Sequence, residues 1–388
     1  MRTIIIGGGV AGAAAALALR RVGVDATVYE EYDDPAGDVG SFVSLASNGL
    51  RCLDVLGCLE QVQAAGVALP RQRMWSAGGH LLGDVPRGRR RADTLHSVTL
   101  MRGRLVATLR DAAVAAGARI IVGERAVRVT RTADGVAAEF VSGLRDDADL
   151  LVAADGIWST VRGQLHPAAP EPEYAGLYAI SGVSHLDGVE PGVFNMTFAR
   201  SGAFIHLAVG DGEIWWQAQI AEPIEPDRHG VPDAAWLQRT KQLYQDEKVP
   251  SAVIAATTRL HSPVIFHALD PVATWHSDRT VLIGDAAHPV GAGQGASMAL
   301  EDSLALAAAL QAEPTVATAL KAYDTERRPR IVKLLNTAED NRRAKKAGPL
   351  KRQLQAAVMR LFLPLFYEKA TAWLYSHEPS RLQVPGRH

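Results

Sequence analysis

Residues 2–30 restrict the fold more than any other stretch of the chain. Thr3-Ile-Ile-Ile6 is a short run of β-branched residues, the composition of a strand buried on both faces. Gly7-Gly-Gly-Val-Ala-Gly12 follows at once. Ala13 to Arg21 then reads as an alanine-rich helix ended by Gly23, and Val24 to Glu30 is a second strand closing on an acid. This is G-x-G-x-x-G in the strand–turn–helix setting that gives the pattern a mechanism. Gly7 permits a tight turn, Gly9 lets backbone approach a pyrophosphate, and Gly12 lets helix and strand pack closely. Glu30, eighteen residues past Gly12, stands where a carboxylate accepts from the ribose hydroxyls of an adenosine. The unit predicts an α/β domain that holds a dinucleotide, with NAD and FAD not yet distinguished.

Two later stretches repeat the theme. Leu150 to Ala154 reads as a buried strand, Asp155-Gly156 as its turn, and Ser159 and Arg162 fall at helical spacing beyond it. Val281 to Ile283 is the end of another apolar strand. Gly284-Asp285 turns the backbone and presents a carboxylate, Gly291, Gly293 and Gly295 follow, and Ala296 to Leu310 predicts a helix of small and apolar residues. Such a helix start aims backbone N–H groups and a positive dipole end at something electron-rich. Turns at 7–12, 155–156 and 284–295, gathered at one end of an open sheet, define a ligand crevice. Leu100 to Leu109 leads from a strand into a helix that Gly117 ends. Arg102 and Arg104 lie at its start, against the dipole, which points either to an anionic neighbour or to arginines facing solvent. The segment from Gly40 to Gly57, with Asn48 and the helical pattern Leu50, Leu53, Leu56, reads as structural.

At 388 residues the chain exceeds one hydrophobic core. From Pro172 to Trp275 the pattern changes to short alternating strands, with hairpin turns such as Asp211-Gly212 and a helix over 234–246. Trp215 and Trp216 point to opposite faces of one of those strands. The division predicted is a discontinuous dinucleotide-binding domain (1–70, 98–170 and 278–340), a mainly antiparallel β-sheet substrate domain (71–97 and 171–277), and a C-terminal helical tail (341–388). Net charge is −1, so nothing supports a nucleic-acid polyanion as partner. The basic clusters Arg87–Arg91 and Arg342–Lys346 read as a solvated loop and a solvated helix face. Cys52 and Cys58 lack metal or redox spacing and suit buried thiols in a reducing compartment. No run approaches a membrane span, and Met1 leads straight into a strand, so a cytoplasmic protein is expected.

Taken together, Gly7, Gly9, Gly12 and Glu30, Asp155-Gly156, and Gly284-Asp285 resemble the three fingerprints of the class A flavoprotein monooxygenases, the para-hydroxybenzoate hydroxylase-like family. The resemblance runs in order from residue 1 to about 340. Arg102 to Leu105 looks like that family's arginine helix, and Tyr323 to Pro329 like its usual close. The resemblance implies a Rossmann-like FAD-binding domain, α/β in class within a chain that is α+β overall. By it, Gly7, Gly9, Val10, Ala11 and Gly12 approach the FAD pyrophosphate, and Glu30 the adenosine ribose. Arg102 reaches the ribityl–pyrophosphate region, Asp155 serves FAD and NAD(P)H, and Gly284 and Asp285 flank the ribityl side. Pro289, Gly293 and Ser297 belong to the cofactor site, and the helix start from Gln294 through Gly295 to Ala296 faces the flavin ring and stabilises negative charge on it when reduced.

The chemistry implied belongs to the cofactor. NADH or NADPH binds transiently and reduces FAD, O2 adds at the flavin C4a carbon, and the hydroperoxide passes one oxygen to an aromatic or polycyclic small molecule. Hydroxylation is the commonest outcome in the family, with epoxidation and Baeyer–Villiger insertion as variants. A reductase or dehydrogenase without oxygen insertion, and a flavin-binding protein without turnover, are the alternatives. A halogenase is disfavoured because no Gly-Trp-x-Trp-x-Ile-Pro motif occurs. Two departures stand out: only Pro289-Val-Gly-Ala292 separate His288 from Gly293, and Ser297 stands where asparagine is frequent. No residue is identified as the catalytic base and no metal site is expected. His96 and His206 read as structural, and a monomer or homodimer is expected.

Overall fold

A computed structural model describes residues 1–34, 41–291, 293–345 and 366–383, with backbone alone for 338–345. The run Arg2–Ile6 forms β1, α1 covers Val10–Arg21 and β2 covers Asp25–Tyr29. β3 (Phe42–Leu45), α2 (Ser47–Val55), α3 (Leu59–Ala64) and β4 (Val67–Ala68) lead to the hairpin β5 (Arg71–Ser76) and β6 (Leu81–Pro86). β7 (Val98–Met101) runs into α4 (Arg102–Ala115), before β8 (Arg119–Ile121), β9 (Ala126–Arg131), β10 (Val136–Phe140), β11 (Arg145–Ala148), β12 (Leu150–Ala153) and α5 (Thr160–Leu165). Four long strands follow, β13 (Glu173–His185), β14 (Val193–Phe198), β15 (Gly202–Gly210) and β16 (Glu213–Ala221). α6 (Asp233–Leu243), α7 (Lys248–Ala255) and β17 (Thr257–Ala268) complete that part. The chain closes with β18 (Thr280–Leu282), the 3-10 turn Gly284–Ala286, α8 (Gly295–Ala312), α9 (Val316–Lys345) and a helix over 366–375, α10.

Five strands form a wholly parallel sheet in the order β18-β12-β1-β2-β8. Its inner strands are buried almost throughout, as apolar runs covered on both faces must be. The chain leaves β1 toward β2 on one side and returns later to β12 on the other, so the order reverses at β1. In the register, Ile6 pairs with Ala153 and Ala153 with Leu282, which brings the Gly7, Asp155 and Gly284 turns to one edge. At about 4.8 Å between strands, the outer two turns lie roughly 10 Å apart. Alanines 13–16 and 18 are fully buried on α1, and their small side chains let it pack between the sheet, α4 and α8.

A seven-stranded sheet, β17-β13-β16-β15-β14-β5-β6, makes the other layer. All its pairings are antiparallel except β14 with β5, which are parallel. One face carries Tyr178, Phe204, Trp216 and Ile220 under Trp236 and Tyr244 of the α6 region. The other carries Phe194, Ile205, Leu207 and Trp215 against Phe42 and Met101 from β3 and β7. Trp215 and Trp216 therefore split between the faces.

Two expectations change. The helix over 234–246 ends at Leu243, because Tyr244 turns inward and its hydroxyl donates to the Ala203 and Gln219 carbonyls at 3.3 and 3.1 Å. A second helix, α7, follows, with Pro250 in its first turn where proline is tolerated. The basic stretch 87–91 is not uniformly solvated. Arg90 and Arg91 are exposed, but Arg87 and Arg89 are half-buried, since Gly88 is tied to α2 by a Ser47 N–H···O bond of 2.9 Å. The side chains of Arg342–Lys346, and 346–365 of the tail, lie outside the described residues. Both cysteines are free and buried, and no described helix is long and apolar enough to cross a membrane.

Candidate functional site

The glycines of the first turn are dictated by sterics. Gly7 has φ +97°, and a Cβ there would stand 2.4 Å from the Ala154 carbonyl oxygen. A Cβ on Gly12 would fall 1.8 Å from the Gly7 carbonyl oxygen. Gly9 differs: its nearest neighbour would be Arg102 Nη2 at 3.6 Å, so the space above the turn is open. No side chain caps α1 and its first turn holds no acid, which leaves N–H groups and a positive end facing that space. Glu30 is buried. One oxygen accepts from Gly8 N–H and the other from Tyr32 N–H at 2.9 Å, so the acid also braces the glycine turn.

The other turns are joined to the first by short contacts. A Cβ on Gly284 would meet Ala11 Cβ at 3.0 Å, and one on Gly295 would meet Asp285 Oδ1 at 3.6 Å. Asp285 is exposed to the cleft. The surrounding protein raises its pKa, and the charges of His288 and Arg102 oppose that rise. Asp155 is half-buried. Its Oδ2 accepts from Val161 N–H at 3.1 Å, while Oδ1 is sealed from solvent without a partner. Burial raises its carboxyl pKa, and hydrogen bonds from Ser159 and Val161 offset part of the rise. Arg162, buried, donates to the Ile157 carbonyl at 2.7 Å and the Ala286 carbonyl at 3.1 Å, fastening the second turn to the third.

The start of α8 is likewise uncapped, with Gln294 in the cap position and no acid in the first turn. Gln294, Gly295 and Ala296 are half-buried and Ser297 is buried, its hydroxyl without a partner. Ser297 presses on Gly49 of α2, where a Cβ would stand 2.5 Å from its Oγ. Pro289 is half-buried and lines a small cavity with Trp275 and Arg328, on the side of His288. Gly291 and Gly293 carry φ of +75° and +110°, and both are exposed. Ala292, part of the short loop, lies outside the described residues.

Three supporting groups escaped sequence reading. Asp302 accepts from Gly284 N–H at 2.9 Å, His288 Nε2 at 2.7 Å and Arg327 Nε at 2.8 Å, so the third turn hangs on a buried carboxylate eighteen residues away. Glu301 accepts from Arg327, Arg330 and Asn48. Asn48 thereby sits at the α8 start, reaching Gln294 Oε1 at 3.4 Å, and its own Oδ1 has no partner. The available signal was Glu301-Asp302 inside an otherwise apolar helix, since buried charges require partners. The arginines at 327 and 330 supply them.

A dinucleotide suits this cleft. Uncapped helix starts offer donors to phosphate and ring oxygens, Gly9 leaves room for close approach, and orphaned polar atoms on Asp155, Ser297 and Asn48 stand ready for partners.

Comparison with known proteins agrees with the geometry. The sequence profile of a family described as FAD binding domain matches residues 1–338. The chain is 30% identical over 341 residues to aurachin C monooxygenase/isomerase of Stigmatella aurantiaca, covering 84% of this chain and 85% of that one. To the FAD-dependent urate hydroxylase of a Klebsiella pneumoniae strain it is 28% identical over 350 residues, covering 85% and 87%. Klebsiella pneumoniae HpxO, solved with FAD and uric acid, superposes with a TM-score of 0.80 at 22% identity over 93% of each chain. A salicylate hydroxylase substrate complex superposes with a TM-score of 0.79 at 21% identity, over 97% of this chain and 95% of that one.

Proposed function

Because the chain belongs to the class A FAD-dependent monooxygenases, we propose that it inserts one oxygen atom from O2 into an aromatic or polycyclic small molecule, driven by NADH or NADPH. The observation that carries this reading is the meeting of three strand-end turns and two uncapped helix starts in one cleft. When bound, FAD supplies hydride acceptance and O2 activation.

The chain's own residues bind, orient and shield. The N–H groups at Gly9, Val10 and Ala11 suit the pyrophosphate, with Gly7 and Gly12 shaping the turn around it. Glu30 suits the adenosine ribose, and Arg102 balances the phosphate charge opposite Gly9. Asp155 and Asp285, on the second and third turns, suit the ribityl side. The α8 start, from Gln294 through Gly295 and Ala296 to Ser297, offers fixed donors to the electron-rich edge of the ring. Backbone N–H groups suit that task because they neither titrate nor reorganise. Pro289 and Gly293 shape the loop leading there. On this reading 1–70, 98–170 and 278–340 hold the cofactor, and 71–97 with 171–277 roof the substrate. The apolar face centred on Phe194, Ile205 and Trp215 supports the exclusion of water that oxygen transfer requires.

Glu30→Ala should weaken FAD retention roughly 10- to 100-fold, the worth of one or two hydrogen bonds to a charged group, with the far-ultraviolet circular dichroism unchanged. Equilibrium dialysis of FAD checks this, and unaltered affinity would remove Glu30 from the site. For the reaction, NAD(P)H oxidation stimulated by a substrate under 18O2 should yield product heavier by one labelled oxygen. Rapid NAD(P)H turnover with no label in any product would favour a reductase of the same fold.

A further inference from the structure

A buried carboxylate sets the direction of two side-chain amides at the start of α8. Glu301 lies in the second turn of that helix and faces α2. Burial pushes its pKa up, but Arg327 and Arg330 outweigh burial and hold it below the ordinary value, so the group accepts and does not donate. Asn48, fully buried at the start of α2, lies 2.9 Å from Glu301 Oε1. Only Nδ2 of the amide can face a carboxylate, so Asn48 has one orientation. Gly49 lets the two helices come this close, since a Cβ there would stand 2.5 Å from Ser297 Oγ.

The orientation passes on to the cap residue of α8. Asn48 Nδ2 also donates to Gln294 Oε1 at 3.4 Å, a long bond. Gln294 Oε1 therefore points inward, and the two hydrogens of its Nε2 are left for the cleft. Gln294 is half-buried, and its Nε2 is not among the sealed, unpartnered atoms of the described residues.

Stability does not account for Asn48. Without it, Glu301 would keep Arg330 Nη2 on Oε1 at 2.8 Å, with Arg327 Nη1 and Arg330 Nε on Oε2 at 2.6 and 2.7 Å. The same orientation leaves Asn48 Oδ1 buried with no partner, a cost that an apolar residue of similar size would avoid. What is left to Asn48 is its contact with Gln294. A polar group kept at a cost to the fold marks a place where geometry serves function.

We propose that Asn48 is a positioning residue: it turns the Gln294 amide so that the Nε2 donors join the backbone N–H groups of the α8 start and favour reduced FAD over oxidised FAD. The proposal rests on the flavin reading and adds how the chain sets the potential of its cofactor. A reduced ring carries more negative charge at its edge, so a fixed donor there binds it more tightly than the oxidised ring. With Asn48 gone, the Gln294 amide is free to turn over and present its oxygen, which repels that charge.

The test uses the full-length, FAD-loaded protein, with the midpoint potential measured by reductive titration against reference dyes. Asn48→Leu should lower the affinity for reduced relative to oxidised FAD roughly 10-fold, a drop of about 30 mV for a two-electron couple. FAD content and melting temperature should be kept. Gln294→Ala should lower the potential by a similar amount, and the double variant no further than Gln294→Ala, because Asn48 acts through Gln294. An unchanged potential in either single variant, or shifts that add in the double variant, would overturn the proposal. Should Asn48→Leu not fold, Asn48→Ser takes its place in the same comparison. A chain that takes up no FAD fails the flavin reading itself, whereas a loaded chain whose potential ignores both residues fails this proposal alone.

Discussion

Replacing Arg327 by methionine should cost the fold about 3–5 kcal/mol, the range for stripping one partner from a buried ion network. Arg327 is 1% exposed and lies between Glu301 and Asp302, donating to them at 2.6 and 2.8 Å. Without it two neighbouring carboxylates face each other inside the protein. Glu301 retains Arg330, but Asp302 is left with His288 and the Gly284 N–H. Urea unfolding of the wild type and the variant measures the loss. A difference below about 1 kcal/mol would show that the network is not sealed from water.

The same network fixes a pH dependence. Burial pushes the Asp302 carboxyl up, but the charges of His288 and Arg327 and the hydrogen bonds outweigh it and hold the pKa well below the ordinary carboxylate range. A depressed folded-state pKa contributes stability that is fully present above the unfolded value, about 3.9, and is lost as pH falls further. Wild-type stability should therefore decline below about pH 4. In Arg327→Met that acid-side decline should be shallower, because one of the charges depressing Asp302 is gone.

Gly12→Ala should abolish FAD binding and destabilise the protein by about 1–3 kcal/mol, the usual cost of overpacking, or more. The added methyl would stand 1.8 Å from the Gly7 carbonyl oxygen. That neighbour is backbone, in a turn whose φ of +97° already demands glycine, so no side chain can swing aside. Relief requires moving α1 away from β1, which also moves the N–H groups of the first helical turn. Gly163→Ala is the matched control: its Cβ meets nothing within 4 Å, and stability should hold or rise slightly. Purified Gly12→Ala should be colourless while Gly163→Ala is as yellow as the wild type. A yellow Gly12→Ala would mean that the turn relaxes more easily than its geometry implies.

The parallel sheet and its three turns were legible because each uses a local rule. Buried strands of β-branched residues, glycines at fixed offsets and an acid at a strand end all leave marks within thirty residues. What joins the turns was not legible. Arg162 fastens the second to the third, and Asp302 holds Gly284, through bonds whose spacing in sequence follows no local period. Asn48 read as part of a structural helix, and only its tertiary partners Glu301 and Gln294 place it at the cleft. Arg87 read as one member of a solvated basic run. Its separation from Arg90 and Arg91 depends on Phe194, more than a hundred residues away.

The crystal structure of the FAD complex tests the assignment of the cleft most directly. The pyrophosphate should lie against the N–H groups of Gly9 to Ala11, the adenosine ribose within hydrogen-bond distance of Glu30, and the ring edge against the start of α8 at 294–297. FAD density whose ring lies away from 294–297, or whose phosphates do not meet the Gly7–Gly12 turn, would contradict it.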